Sequence, residues 1–260
     1  MTAWAPGSLA PRPGAAPVRQ MLAAQALAEL KLVLRNGEQV LLSLVLPVGL
    51  LVVLVTVPFI GLDDGFSGGR ADFFVPGVLA LAVMSTAFTG QAIGVGFERQ
   101  YGVLKRLGAT PLPRSVLLLA KTLAVLAVEL LQVLLLSGVG LALGWEPAGS
   151  VLAVLALVVL GTAAFSGLGL LLGGTLRGLT TLAAANLLWF VLLVLGGVLF
   201  PLSAFGAAEP VLSLLPTAAL STGLRDVLVD GLAVPWQPLL VLAGWALVGL
   251  TAASRSFRWE

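Results

Sequence analysis

Long apolar runs separated by short polar interruptions set the plan of this chain. The runs at 40–60, 73–96, 115–143, 151–173, 179–199 and 236–253 carry almost no charge and show no alternation of apolar and polar positions. Most exceed the roughly 18 to 20 residues that an α-helix needs to cross a bilayer. A transmembrane barrel would instead show segments of about ten alternating residues, and only helices and closed barrels satisfy their backbone in lipid. The pattern therefore predicts an all-α membrane protein with six transmembrane helices.

The flanking segments read differently. Residues 1–17 hold Pro6, Pro11, Pro13 and Pro17 among Ala and Gly, which predicts a disordered tail. Over 18–36, Ala23, Leu27, Leu30 and Leu34 recur on one side of a helical wheel, with Gln20, Gln25, Glu29, Lys31 and Arg35 on the other. That spacing predicts an amphipathic interfacial helix, or an amphipathic extension of the first span. The interruption at 201–235 holds two apolar pieces, 211–215 and 218–228, too short to cross and divided by Pro216. They predict a re-entrant or interfacial helical hairpin before the last span, or a loop resting on the membrane. The 40–253 stretch forms one domain on this reading, and 254–260 is a short tail. Gly90 with Gly94, and Gly169 with Gly173, have the four-residue spacing that lets helices approach closely.

Charge orients the plan. Arg12, Arg19, Lys31, Arg35, Arg99, Lys105, Arg106, Arg114, Lys121, Arg177, Arg255 and Arg258 fall on the side of the termini; only Arg70 and Arg225 fall opposite. Positive-inside reasoning places both termini in the cytoplasm. Composition then narrows the chemistry. Hydrophobic residues make up 59% of the 260 and charged residues 10%, against roughly 25% charged in a soluble domain. The chain has no Cys and no His, which removes disulfides, thiol nucleophiles, imidazole bases and the commonest zinc ligands. Lys31, Lys105 and Lys121 each lack a preceding glycine, so no phosphate-cradling loop of the G-x-x-x-x-G-K type is present. The basic residues sit beside apolar spans and leave no nucleic-acid footprint. No cofactor is expected in this chain.

Two places stand out against this background. The loop 97–114 concentrates charge between the second and third spans: Val103, Leu104 and Leu107 can form the ridge of a short helix that Gly108 and Pro111 end, with Glu98, Arg99, Lys105 and Arg106 around it. It is either a docking element for a cytoplasmic partner or a loop whose charges serve orientation alone. The second place is Glu129, fourteen positions from both Ser115 and Leu143, about 21 Å along a helix from either end. A carboxylate at that depth costs about 2.5 to 3.5 kcal/mol on insertion scales and faces a cavity or a partner. With Thr122 and Gln132 on its stripe, Glu129 either lines a substrate path or is a protonated acid bonded to a neighbouring helix. Asn186, Trp189 and Phe190 form a second lining candidate on the fifth span, or ordinary packing.

The run from Glu98 to Arg114, ERQYGVLKRLGATPLPR, resembles the loop between the second and third spans of ABC-2 type permeases of the daunorubicin-resistance kind. That family's pattern is close to E-R-E-x-G-T-L, two basic residues, then L-x-A-T-P-L. A second likeness runs from Phe200-Pro201-Leu202-Ser203 through Leu214-Leu215-Pro216 to Gly223-Leu224-Arg225. Gln100 for an acidic residue, Val103 for Thr, and Ala218-Ala219 depart from the family pattern. The resemblance implies the membrane subunit of an ABC exporter in a bacterial cell membrane. Such a subunit pairs with a second copy or a sister permease, contacts membrane lipids and binds two separate ATPase subunits that carry ATP and Mg. Through the likeness, Glu98, Arg99, Gly102, Leu104, Lys105, Arg106 and Leu107 would couple to the ATPase, while Pro201, Pro216 and Arg225 would shape the outer gate. The implied cargo is an amphipathic drug or antibiotic, with a lipid or glycolipid as the alternative. A non-transporting scaffold that uses the same loop is the competitor from another class.

Overall fold

The computed structural model describes residues 15–57 and 69–256. The expected tail through residue 14, the stretch 58–68 with Pro58, Asp63 and Asp64, and residues 257–260 of the last tail lie outside the described residues.

Among the described residues every regular element is helical. In order these are α1 (Val18–Arg35), α2 (Gly37–Thr56), α3 (Arg70–Met84), a π-helical turn (Ser85–Gly90), α4 (Gln91–Gln100), α5 (Val103–Gly108), α6 (Arg114–Ala142), α7 (Val151–Thr175) and α8 (Gly178–Leu195). A 3-10 segment (Leu202–Ala208), α9 (Glu209–Leu212), α10 (Pro216–Leu228) and α11 (Trp236–Ser256) complete the chain. The helix α3, the π turn and α4 run on as one span, Arg70–Gln100. That span, α6, α7, α8 and α11 are each long and apolar enough to cross a membrane. Two bent pairs bring the number of crossing elements to between five and seven: 18–35 with 40–56 at 67°, and Leu202–Leu212 with Pro216–Leu228 at 120°. Counting α2 as the crossing half of the first pair and treating the second as re-entrant makes six.

The span Arg70–Gln100 is the axis of the molecule. Every residue of α3 from Ala71 to Met84 except Asp72 is buried, and α2, α6, α7 and α10 pack around it. Glycine pairs decide how close they come. A Cβ on Gly169 would stand 2.6 Å from the carbonyl oxygen of Phe88, and one on Gly173 would stand 2.5 Å from that of Ala92. These two positions let α7 lie against the span backbone to backbone. Gly94, in contrast, has nothing within 4 Å of such an atom. The two sequence pairs thus differ: 169 and 173 are packing positions, whereas Gly94 faces open space.

At the end of the bundle away from α5, two arginines tie helix ends together. Arg70 donates to the carbonyls of Leu54 at 2.5 Å, Val57 at 2.9 Å and Val55 at 3.2 Å, closing the last turn of α2, whose carbonyls have no partner within the helix. Arg225, from α10, lies 4.1 Å over the Phe73 ring and donates to the Phe73 carbonyl at 3.2 Å. Pro201 caps the 3-10 segment and Pro216 opens α10. The bend between them is fixed by Trp245, which donates to Leu214 O at 2.8 Å, and by Ser221, which donates to Gly196 O at 2.7 Å.

Candidate functional site

The second span changes pitch halfway. The π-helical turn Ser85–Gly90 inserts extra backbone into an otherwise α-helical span, a device found frequently at functional sites. It aims polar groups at the neighbouring spans. Ser85 accepts a hydrogen bond from the Trp189 indole at 2.8 Å. Thr86 donates to Gln132 Oε1 at 3.1 Å, and Gln132 donates onward to the Ser43 carbonyl at 2.9 Å. Four spans are joined through this one turn.

These groups line a cleft of about 900 Å³ walled by α1, α2, the second span, α6 and α8. Its sides are mostly aliphatic, from Leu46, Leu50, Val125 and Leu193 among others, with Gln132 and Trp189 in the wall. At the α5 end the cleft reaches a buried ion cluster. Lys121 Nζ lies 2.7 Å from Glu98 Oε1 and 2.9 Å from Glu29 Oε2. The cluster draws together α1, α4 and α6, helices whose contributing residues are up to 92 positions apart. Glu98 Oε2 is buried without a hydrogen-bond partner, and Glu98 is one of the cleft's lining residues.

The wheel of α1 assigns Glu29 to the solvent face; the structure turns it inward, 7% exposed, while Leu27 and Leu34 face outward. The ammonium of Lys121 explains the inversion, because a carboxylate is buried only where a partner compensates its lost hydration. Lys121 itself sits seven residues into α6, about 10 Å from its start. A lysine that deep is the signal that could have revealed the cluster, since such residues pair inside the protein.

The loop residues divide into two groups. Glu98 and Arg99 belong to the last turns of α4, and Arg99 donates to Gly174 O and Leu176 O at 3.2 and 3.3 Å, fastening α4 to the end of α7. Gly102, at φ 70, makes the left-handed turn between α4 and α5, a backbone state in which a glycine meets no Cβ clash. The short helix then begins at Val103, so the coupling helix that the family likeness would run from Glu98 to Leu107 is divided between α4 and α5. Leu104 is fully buried and packs with Val95, Leu117, Leu118, Leu170 and Ala253, with Leu107 against the same cluster. Lys105 and Arg106 are exposed on its other side. The helix is thus anchored by one leucine and presents cations outward.

The inner candidates also separate. Gln132 and Trp189 line the cleft; Thr122, Glu129, Asn186 and Phe190 are not among its lining residues. Thr122 bonds back to Leu118 O at 3.1 Å. Glu129 is fully buried against α7, where its Oε2 meets the Thr162 hydroxyl and its Oε1 has no partner. Thr162 Oγ1 also lies 2.8 Å from Val158 O. The Thr162 hydroxyl thus stands between Glu129 of α6 and the Val158 carbonyl of its own helix. Asn186 and Phe190 lie on the outer face of α8.

The fold and the cleft define a multi-pass helical membrane domain of the transporter type. A family model described as ABC-2 type transporter matches residues 22–229, from within α1 through the end of α10. The chain belongs to the ABC-2 type transporter family, and is accordingly an ABC transporter permease, a transmembrane component rather than the ATPase. No curated protein matches the chain.

Proposed function

We propose that this chain is the membrane half of an ATP-driven exporter that moves an amphipathic, drug-like small molecule out of the cytoplasm or its inner leaflet. Two ATPase subunits, which hold the ATP and Mg, dock on α5 from the cytoplasmic side of a bacterial cell membrane, and a second permease completes the path. The observation that carries this reading is the continuity from α5 to the cleft. The short helix follows α4 by two residues, and α4 ends in the Glu98–Lys121–Glu29 cluster at the cleft's base. Pressure on α5 therefore reaches the cleft through rigid elements, biasing a two-state equilibrium of the domain. The cleft volume of about 900 Å³ falls in the range of small-molecule sites. Its aliphatic walls and the unpartnered Glu98 oxygen suit a cargo with an apolar body and a hydrogen-bond donor.

Charge reversal tests the docking. Lys105→Glu with Arg106→Glu is expected to abolish co-purification of an ATPase subunit from native membranes while leaving the permease monodisperse, because both side chains are exposed and Leu104 keeps the anchor. Undiminished co-purification would refute the assignment of α5. Glu129→Gln tests the path. Its amide oxygen can accept the Thr162 hydroxyl as the carboxyl oxygen does, and the position lies off the cleft. Transport of cationic and neutral amphiphiles is therefore expected to remain near the parent level; selective loss of the cationic cargo would return Glu129 to the path.

A further inference from the structure

Pro47 interrupts the hydrogen-bond ladder of α2 in the middle of the first span. A proline has no N–H, so the carbonyl four residues back, that of Ser43, loses its partner within the helix, and the ring crowds that carbonyl as well. In lipid a freed carbonyl needs a donor from a neighbouring helix. It finds Gln132, on α6 and 89 positions away, whose Nε2 donates to Ser43 O at 2.9 Å. A backbone carbonyl only accepts, which fixes the orientation of the carboxamide: its nitrogen faces α2, and its oxygen accepts from Thr86 of the π turn at 3.1 Å. One side chain, 2% exposed, thus stands in for the missing amide of α2 and is itself held by the second span.

The halves of α2 on either side of this proline are held very differently. After it, Leu51 and Leu54 are buried in the main core, and Arg70 closes the last turn through three carbonyls. Before it, no described residue from 37 to 46 is buried, and Leu41, Leu42, Val45 and Leu46 are exposed. The same half walls the cleft through Val40, Leu42, Ser43 and Leu46. A helix fixed at one end and interrupted in the middle bends at the interruption.

We infer that residues 37–46 form a hinged wall of the cleft that turns about Pro47, and that Gln132 is a positioning residue, the latch that holds this wall to the π turn. With both bonds made, the wall is tied to α6 and to the second span at one level. With the Ser43 bond broken, the free half swings while Leu51, Leu54 and Arg70 keep the other half in place, and the cleft changes width without disturbance of the core. A hinge of this kind needs only a few residues that absorb the backbone change. Because Gln132 lines the cleft, a polar group inside it competes for the same donor, so occupancy of the cleft and position of the wall are linked. The inference goes beyond the export reading and does not depend on the identity of the cargo.

Pro47→Ala gives the test an internal rescue, because alanine restores the N–H and hands Ser43 O back to its own helix. The chain has no cysteine, so spin labels go only where they are wanted. Leu41→Cys with Leu187→Cys reads the first half of α2 against α8, and Val53→Cys with Leu187→Cys reads the second half; all three side chains are exposed. The labelled chain is co-produced with an excess of unlabelled chain, so that pulsed EPR in lipid nanodiscs reads distances within one molecule. Gln132→Leu is expected to add a second population to the 41–187 pair, displaced by several ångströms, and to leave the 53–187 pair as in the parent. Thr86→Val, which frees the Gln132 oxygen but leaves the Ser43 bond, should act in the same direction more weakly, and it replaces Gln132→Leu should that variant not be monodisperse. Adding Pro47→Ala to either should return the 41–187 pair to one population, a cure that loss of a generic packing contact would not show. An unchanged 41–187 distribution in both variants, an equal displacement at 53–187, or a displacement that survives Pro47→Ala would each overturn the inference.

Discussion

Lys121→Met is expected to remove most of the folded permease from membrane extracts. One ammonium serves two carboxylates here, at 2.7 and 2.9 Å, and its side chain is only 6% exposed. Removing it leaves Glu29 and Glu98 facing each other without compensation. Breaking a single buried pair costs about 3 to 5 kcal/mol, a large share of the roughly 5 to 15 kcal/mol by which native domains are stable. Companion substitutions separate charge from shape. Lys121→Met with Glu29→Gln and Glu98→Gln removes all three charges together and should recover much of the monodisperse protein. Fluorescence-detected size exclusion of detergent extracts reads both results. Parent-like yield of the single variant would mean that the cluster contributes little to assembly.

The second large effect is expected at the crossing of α4 and α7. Gly173→Val would drive side-chain atoms into the Ala92 carbonyl, where even a Cβ stands at 2.5 Å, and toward Gly96 N at 3.2 Å. These obstacles are backbone atoms, which cannot rotate aside as a flexible side chain would. Overpacking a tight core typically costs about 1 to 3 kcal/mol, and the branched residue here fits only if the two helices move apart. Gly169→Ala meets the Phe88 and Ala87 carbonyls at 2.6 and 2.9 Å and should act in the same direction more mildly. Gly94→Ala, with nothing in reach, should leave thermal stability unchanged. The comparison is made by thermal unfolding of the purified protein in one detergent; equal midpoints for Gly173→Val and Gly94→Ala would refute the packing assignment.

The chain's plan is legible in its sequence because its boundaries are chemical. Pro113 and Arg114 mark the start of α6 and Gly178 that of α8, each bounding an apolar run that leaves no choice but to cross. The bent pair before the last span is legible from the same arithmetic, since Pro216 divides pieces too short to span, although the first piece begins at Leu202 and not at 211. What stays hidden depends on residues distant in sequence. A helical wheel assigns Glu29 to water because it contains no information about Lys121, 92 positions away. Glu129 is visible as an isolated carboxyl, but its partner Thr162 lies 33 positions on, in a run whose hydroxyls look alike. The start of α5 depends on one backbone angle at Gly102, whereas the family likeness extends the coupling segment back to Glu98. The π turn has no apolar signature, because Ser85–Gly90 is as helical in composition as the residues around it.

That turn gives the number of residues in the second span a meaning beyond distance. Each residue of an α-helix advances the chain about 100° around its axis, so everything between Gln91 and Glu98 is aimed by how many residues precede it. Loss of one residue within Ser85–Gly90, with return to ordinary α pitch, would shorten the span by little yet rotate Glu98 away from Lys121 and Arg99 away from the end of α7. The two halves of the span are phased like the bit and bow of a key: thickness can vary, but the cut angle between them cannot.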